Sequence, residues 1–295
     1  MRMKTYLIKR LLYLFVVAFG VSFFIFSVTT LASGRQGFTE AESGTPYFMR
    51  YLSWLRVVLL GHTQYVRGQR QVTLSQFGRM IPGTMRLAGA TLTITVILSL
   101  PLGFFSAMKK DSLFDNTVRL LSFLGASVPN FILGLLLLFV FAVRLRWFPV
   151  IGAGDLRHMV LPVCTLSFSL VSRFMRQIRG TVLEELGRDY VTGAMARGLH
   201  PGRVMIFHVL PNALPSILSY LGVSIGQMLS SVAIIEILFF WPGIGALTVD
   251  SVRQLNYPII TAFALWMALL YILSLFVVDT ALHWLDPQFR RKGAG

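Results

Sequence analysis

Apolar segments long enough to cross a membrane recur along the chain and alternate with short polar segments. A hydrocarbon core of about 30 Å requires roughly 20 apolar residues in a helix. Stretches of that length without Lys, Arg, Asp or Glu occur at residues 11–33, 87–108, 120–143 and 254–278. We predict a transmembrane helix over each of them.

A further span is predicted over residues 156–175. The apolar run between Arg157 and Arg173 is short by itself. Both arginine side chains can reach the membrane surface from within the helix ends, and this lengthens the segment that the bilayer accepts.

The last span to be assigned, the fifth in chain order, lies within residues 204–240. Residues 204–235 carry no formal charge apart from His208. Pro211 and Pro215 predict that the helix itself begins near Leu214, because proline is tolerated at a helix start and disrupts a helix interior. The pattern therefore predicts an all-α integral membrane protein with about six transmembrane helices in a single domain, residues 1–295.

The segment at residues 32–86 contains an amphipathic stretch. Aromatic and aliphatic residues alternate there with Arg50 and Arg56 at helical spacing, and they are Tyr47, Phe48, Tyr51, Leu52, Trp54, Leu55, Val58 and Leu59. A helix of this kind can lie along the membrane interface or pack on the other spans. Both interpretations remain open from the sequence.

The basic residues predict the orientation of the spans. Sixteen of the 27 Lys and Arg residues lie before the first span, after the second, after the fourth and after the last. Cytoplasmic segments carry the excess of Lys and Arg. Both termini are therefore predicted to be cytoplasmic, and residues 32–86 to form an outer loop.

Composition excludes several classes of function. Of the 295 residues 55% are hydrophobic and 13% are charged, which indicates a chain surrounded by membrane lipid. The net charge of +15 does not indicate nucleic-acid binding, because the basic residues flank apolar spans instead of covering a soluble face. One cysteine, Cys164, and five dispersed histidines offer no set of metal ligands, so no metal site is expected.

A polar segment at residues 176–215 predicts a docking element on the cytoplasmic side. We expect a helix from Glu184 to Arg197 that ends at Gly198. Negative charge is favoured in the first turns of a helix by the helix dipole. The carboxylates that meet this condition are Glu184, Glu185 and Asp189.

Pro201 fits the first turn of a second short helix after this one. The apolar residues expected on the accessible side of the element are Tyr190, Val191, Ala194 and Leu199. Ala194 and Gly198 are small enough for a partner surface to approach closely. The pattern indicates a protein partner in the cytosol, and a plain cytoplasmic loop is the alternative.

The residues of this segment resemble the coupling loop of ABC importer permeases. The matching runs are DYVTGAMARGL at residues 189–199 and HVLPNALP at residues 208–215, which includes Asn212 and Pro215. The closest resemblance is to the peptide and nickel permease family. Gly193 and Met195 depart from its pattern, because family members usually carry Thr and Arg at these positions.

Further matches occur in the order seen in that family and extend over nearly the whole chain. They are FLGASVPNF at residues 123–131, WFP at 147–149, Glu236, FWPGIG at 240–245, NYP at 256–258, Asp279 and DP at 286–287. Gln288 stands where Arg is usual, and the outer loop lacks the usual Gly-Asp-Pro.

The resemblance implies a fold like that of type I ABC importer permeases in the bacterial plasma (inner) membrane. It also implies a second permease chain, two cytosolic ATPase subunits that bind ATP and Mg, and an extracytoplasmic substrate-binding protein. The chain contains no phosphate-binding loop of the G-x-x-x-x-G-K-[ST] type, so it is expected to be a transport subunit without enzyme activity or a cofactor of its own. Peptides are the first choice of cargo, and nickel or another metal chelate is the alternative.

Two carboxylates, Glu236 and Asp279, fall within otherwise apolar spans. An ionised group there usually faces a cavity, the bundle interior or a partner. Glu236, with the adjacent Trp241, Pro242 and Gly243, is predicted either to line an outer gate or to make a structural hydrogen bond near Trp241. For Asp279 a structural role is favoured.

Two other classes of function are weighed against the importer. An intramembrane enzyme would need a Ser–His or Asp–Asp pair at membrane depth, and no such pattern is found in the sequence. A secondary carrier or channel commonly shows internal repeats and more ionisable residues within the membrane. Dependence of uptake on a cytosolic ATPase distinguishes the importer from a carrier.

Overall fold

A computed structural model describes residues 3–33, 45–60, 74–150, 155–254 and 257–285. These residues form α-helices and two π-helical segments, at Leu138–Arg144 and Met205–Val209, and contain no β-strand. The helices are α1 (Met3–Ser33), α2 (Tyr47–Leu60), α3 (Leu74–Met108), α4 (Leu113–Ser127), α5 (Asn130–Leu137), α6 (Leu156–Leu186), α7 (Asp189–Ala196), α8 (Pro201–Val204), α9 (Leu210–Leu238), α10 (Ile244–Arg253) and α11 (Tyr257–Leu285).

The predicted all-α class is confirmed. Within the described residues, five helical stretches are long and apolar enough to cross a membrane: those of α1, α3, α6, α8 to α9, and α11. The predicted NYP match includes Asn256, which lies outside the described residues, as do residues 286–288 and two parts of the outer loop, residues 34–44 and 61–73.

The third predicted span, residues 120–143, is not one continuous helix. α4 and the α5 stretch meet at a bend of 100°. Pro129 explains the break, because proline donates no N–H and forces the preceding residue out of the helical region. Val128 is accordingly extended, with φ −85° and ψ 123°. The described residues thus contain six spans only if both halves count as one broken crossing.

The predicted end of the fourth span was wrong. α6 begins at Leu156, as expected. The Leu156 N–H donates a hydrogen bond of 2.7 Å to the Asp155 carboxylate. The helix then continues to Leu186 instead of ending near Met175. The Arg173 guanidinium donates a 2.9 Å hydrogen bond to the Ser169 hydroxyl one turn earlier, so this charge lies along the helix and does not end it.

The predicted start of the fifth span was also wrong. One helical stretch runs from Pro201 to Leu238 without a break near Leu214. The π-helical segment Met205–Val209 ends two residues before Pro211 and contains Phe207, whose carbonyl a proline at this position would otherwise crowd. Its wider turn gives the proline ring space that an α-helical turn lacks.

The centre of the bundle is formed by α3, α6 and α9. Their buried side chains include Leu87, Leu161, Leu166, Leu170, Met228 and Val232. Glycines bring α3 and α4 close to α6, because a methyl group at Gly103 would lie 2.7 Å from the Met175 carbonyl oxygen and one at Gly125 would overlap Ser172. Small residues at such contacts are the usual means of packing membrane helices.

α2 packs one of its faces on the spans. Tyr51 and Trp54 are buried in a cluster with Phe26 of α1 and Ile259 of α11. The Tyr51 hydroxyl lies 2.7 Å from the Ser22 hydroxyl. The opposite face leaves Phe48, Met49 and Leu52 exposed. The face with Tyr51 and Trp54 therefore agrees with the interpretation that this helix packs on the other spans. The exposed face with Phe48, Met49 and Leu52 is available to the membrane interface.

Candidate functional site

The predicted coupling segment forms α7 and α8 between α6 and α9. Asp189 is the first residue of α7, where the helix dipole favours its charge. Glu184 and Glu185 instead lie in the last turn of α6, because Gly187 ends that helix. Their assignment to the first turn of the coupling helix was wrong. Both carboxylates contact Arg188, at 3.5 and 3.0 Å.

The predicted accessible face of α7 was wrong as well. Val191 and Ala194 are buried, with exposed fractions of 4% and 1%. They pack with Phe174 and Val182 of α6 and with Val209 beside α9. The small side chain at Ala194 therefore allows α7 to approach its own bundle, not a partner.

A hydrogen bond between side chains joins α7 to the end of α6. The Tyr190 hydroxyl donates a 2.8 Å hydrogen bond to Glu185, which also pairs with Arg188. Partial burial and the carboxylate of Glu185 both raise the pKa of Tyr190, so the hydroxyl stays protonated and keeps donating. Through this bond and the apolar cluster, α7 is held against α6 and the start of α9.

The turn after α7 depends on the backbone conformation of Gly198. Its φ is +80°, in the left-handed region that favours glycine. The N–H of Gly198 donates to the Met195 carbonyl at 2.9 Å, and the N–H of Leu199 donates to the Ala194 carbonyl at 3.3 Å. Gly198 ends α7 as predicted. His200 then caps α8 by accepting a hydrogen bond from the Gly202 N–H.

The exposed residues of α7 and its turn form one surface, called here the coupling surface. They are Thr192, Gly193, Met195, Ala196, Arg197 and Gly198. No atom of the described residues outside the local backbone lies within 4 Å of a methyl group placed at Gly193 or Gly198. Methionine and arginine are both enriched at protein interfaces relative to the rest of a protein surface.

Three other predicted residues of the segment are not part of this surface. Leu199 is half-buried against the cluster under α7. Asn212 is exposed at the start of α9 and donates a 2.9 Å hydrogen bond to the His208 carbonyl. Pro215 lies within α9 and is half-buried. The structure therefore collects the predicted residues at one end of the bundle.

Glu236 is fully buried at the end of α9 and accepts several hydrogen bonds. The Thr84 hydroxyl donates to it at 2.5 Å, and the Gly245 and Ala246 N–H groups donate at 2.8 and 3.3 Å. The Thr84 oxygen also accepts from the Ile244 N–H at 3.0 Å. Glu236 thus joins α3 to the first turn of α10. Of the two interpretations left open, these contacts support the structural one.

The turn at residues 241–243 packs tightly around this carboxylate. The Trp241 indole N–H donates a 2.9 Å hydrogen bond to the Gly83 carbonyl. A methyl group at Gly243 would overlap the carboxylate of Glu236, so glycine is required for the close approach. Of the four predicted gate residues only Pro242 is exposed, and Glu236, Trp241 and Gly243 are buried.

Asp279 pairs with Arg10 across α11 and α1. Both side chains are partly exposed, at 23% and 31%. An acidic and a basic group within apolar helices are commonly found paired in this way. The pair supports the structural role favoured for Asp279 and identifies a partner that the sequence pattern did not indicate.

Residues 99–291 match the family described as binding-protein-dependent transport system inner membrane component. This stretch is more than half of the chain and contains α7, Glu236 and Asp279. The chain belongs to this family. It is a multi-pass inner-membrane permease subunit of an ABC importer, not an enzyme. In general such a permease works with another permease, an ATPase and a binding protein.

Relatives match the permease over most of its length. The di/tripeptide transport system permease protein DppB of Pseudomonas aeruginosa is 31% identical over 84% of this chain and 82% of its own. The oligopeptide transport system permease protein AppB of Bacillus subtilis is 29% identical over 97% of this chain and 99% of its own. The probable D,D-dipeptide transport system permease protein DdpB of Escherichia coli is 32% identical over 83% of this chain and 80% of its own.

Solved structures show the same fold. Two inward-facing structures of the MetNI methionine ABC transporter contain a chain that matches 74% of the permease, with TM-scores of 0.63 and 0.59. The match covers 100% of each of those chains at 15% and 16% identity, and it supports the fold alone.

An ion pair that the sequence pattern did not indicate joins α4 to α6. The Arg179 guanidinium donates to both oxygens of the buried Asp115 carboxylate, at 2.6 and 2.7 Å. The Ser106 hydroxyl and the Asp111 N–H also donate to Asp115. The spacing of Ser112 and Asp115 is a capping pattern that signals the start of α4, but nothing in the sequence connects it to Arg179.

We expect Asp115→Ala to destabilise the permease by about 2–3 kcal/mol, because it leaves the partly buried Arg179 guanidinium without its partner. The measurement is thermal unfolding of the detergent-solubilised protein. Arg119→Ala is the matched control, since Arg119 is exposed and makes one hydrogen bond of 3.4 Å. An unchanged melting temperature for Asp115→Ala would show that this ion pair adds no net stability.

We expect Gly83→Ala to destabilise the permease by roughly 1–3 kcal/mol through overpacking. A methyl group there would overlap the Pro242 carbonyl, whereas one at Gly89, in the same helix, would meet nothing within 4 Å in the described structure. Gly89→Ala should be neutral or slightly stabilising because alanine favours the helix. Equal melting temperatures for the two variants would contradict the tight contact between α3 and the turn at residues 241–243.

Proposed function

We propose that the permease imports peptides together with a second permease chain, two cytosolic ATPase subunits and an extracytoplasmic binding protein. The observation that supports peptides as the cargo is the match to relatives named for oligopeptide and di/tripeptide transport. These relatives match 97% and 84% of the chain, not one segment of it. ATP and Mg are then bound by the ATPase subunits, and this chain binds no cofactor.

The coupling surface is the proposed contact with the ATPase. It lies on α7, which packs on α6 and on the start of α9, two of the helices that form the centre of the bundle. A rigid displacement of α7 when the ATPase pair closes on ATP would therefore move both helices. Such a change requires contacts that differ between the inward-open and outward-open states.

Transport by the reconstituted complex tests the cargo. The tagged permease, isolated with its partners from its native membrane, is placed in proteoliposomes with ATP and the binding protein. We expect ATP-dependent accumulation of a labelled tripeptide and no accumulation of a nickel chelate. Accumulation of the chelate without the peptide would favour the alternative cargo, and uptake independent of ATP would contradict the proposed mechanism.

A further inference from the structure

An uncharged polar stripe runs along the exposed side of α9. Its polar members are Ser216, Ser219, Gln227 and Ser230, and Val223 lies between them. Successive positions are three or four residues apart, which places all of them on one face of the helix. The rest of α9 is largely apolar, so this face differs from a surface that meets lipid chains alone.

α11 completes a groove beside this stripe. The groove has a volume of about 590 Å³, and its walls include Gly226, Gln227, Ser230, Met267 and Tyr271. None of its lining residues is Lys, Arg, Asp or Glu. Sites for small ligands usually measure roughly 300–1,000 Å³, so the groove is large enough for a short stretch of peptide.

Gly226 sets the width of the groove. A methyl group at this position would lie 2.7 Å from the ring of Tyr271. The tyrosine ring of α11 therefore lies directly against the backbone of α9, which only glycine permits. This contact holds the hydroxyl-bearing ring beside the polar stripe.

The polar groups of the groove have unused hydrogen-bonding capacity. Among the described residues, neither the Gln227 amide nor the Tyr271 hydroxyl has a hydrogen-bond partner. The Ser230 hydroxyl donates to the Gly226 carbonyl at 3.0 Å, which leaves its oxygen free to accept. Unsatisfied polar groups are strongly disfavoured in hydrocarbon, so in the assembled importer this groove faces water, a polar ligand or polar groups of the second permease rather than lipid chains.

The groove lies at mid-membrane depth. Gln227 precedes Leu238 by eleven residues and Met267 follows Tyr257 by ten. At about 1.5 Å per residue both are roughly 15 Å from those helix ends, or half of a hydrocarbon core of about 30 Å. Substrate sites of secondary transporters are commonly found near this depth.

We propose that this groove binds the main chain of the transported peptide. This inference rests on the peptide cargo proposed above. The Gln227 amide and the Tyr271 hydroxyl donate to peptide carbonyls, and the oxygens of Gln227 and Ser230 accept from peptide N–H groups. A peptide unit offers one donor and one acceptor without formal charge, which suits an uncharged groove. Because the groove carries no charge, it binds acidic and basic peptides alike.

Substitutions that remove only these polar groups test the proposal in the reconstituted importer. Gln227→Leu and Tyr271→Phe preserve most of the side-chain volume. We expect each to lower ATP-dependent tripeptide uptake about three- to tenfold, the effect of one or two lost hydrogen bonds. Methylation of an internal amide of the tripeptide should lower its uptake by the wild type by the same factor. In the two variants, the same methylation should lower uptake by a smaller factor.

Ser231→Ala is the control, because this hydroxyl contacts its own helix at the Gln227 carbonyl and does not line the groove. Wild-type uptake by both groove variants, in a preparation that transports the tripeptide, would overturn the inference and leave the peptide cargo standing. If the wild type transports no peptide, the proposed function fails and the inference fails with it.

Chemical labelling provides a test that does not depend on the folding of these variants. Cys164 is the only cysteine of the chain, so a Cys164→Ser, Ser230→Cys variant carries one thiol. In membrane vesicles with the binding protein present, a water-soluble maleimide should react with this thiol, and saturating tripeptide should slow the reaction at least threefold. Labelling that the peptide does not slow would overturn the inference.

Discussion

Glu236→Leu is expected to destabilise the permease by about 3–6 kcal/mol, the largest effect on folding that the structure predicts. The carboxylate is fully buried and accepts from the Thr84 hydroxyl and from the Gly245 and Ala246 N–H groups. Removing a buried acceptor leaves each donor unsatisfied, at about 1–3 kcal/mol per group. The measurement is the melting temperature and yield of the detergent-solubilised protein.

Glu236→Gln distinguishes hydrogen bonding from charge. Glutamine keeps one acceptor oxygen, which can accept from the Gly245 and Ala246 N–H groups, but its NH₂ group would replace the oxygen that accepts from the Thr84 hydroxyl. We expect its loss of stability to lie between those of the wild type and Glu236→Leu. Glu184→Gln is the control, because that carboxylate is 75% exposed and contacts Arg188 at 3.5 Å only. Wild-type stability of Glu236→Leu would contradict the structural role assigned here.

Gly198→Val is expected to reduce ATP-dependent uptake by more than about tenfold while the protein still inserts into the membrane. A β-branched residue is strained at positive φ, and the turn between α7 and α8 would shift to relieve that strain. The position is exposed and is not part of the packed bundle. Uptake and ATPase activity of the reconstituted complex are measured together, and ATP hydrolysis should continue without transport.

Gly198→Asn separates backbone conformation from the size of the side chain. Asparagine adopts the left-handed conformation more readily than other residues with a side chain. If conformation is the requirement, this variant keeps coupled uptake. If the ATPase instead occupies the space that a side chain at residue 198 would fill, both variants lose coupled uptake. Normal uptake by Gly198→Val would count against α7 and its turn as the coupling element.

The spans could be predicted from the sequence because their signal is local. A run of about 20 apolar residues identifies a membrane helix without any knowledge of its neighbours. The glycine turn at Gly198 and the proline at the start of α8 are equally local, and both were predicted correctly. The bend at Pro129 has a local cause as well, but an uncharged run across residues 120–143 conceals it.

Contacts between distant residues could not be predicted in this way. Thr84 and Glu236 are 152 residues apart, and Asp115 and Arg179 are 64 apart. The burial of Ala194 likewise depends on how α7 folds back on α6. A small residue in a helix fits a contact with a partner as well as one within the chain, and only the structure distinguishes the two.

Cross-linking from the coupling surface tests the proposed contact between this permease and the ATPase. Met195 is 37% exposed on α7, and a photoreactive residue at this position would report its neighbour in the native membrane. We predict an adduct with a cytosolic ATPase subunit, identified by mass spectrometry, and no such adduct from the buried Val191. Absence of the ATPase adduct from Met195, in a permease that is correctly inserted and transports its cargo, would show that the coupling surface does not contact the ATPase.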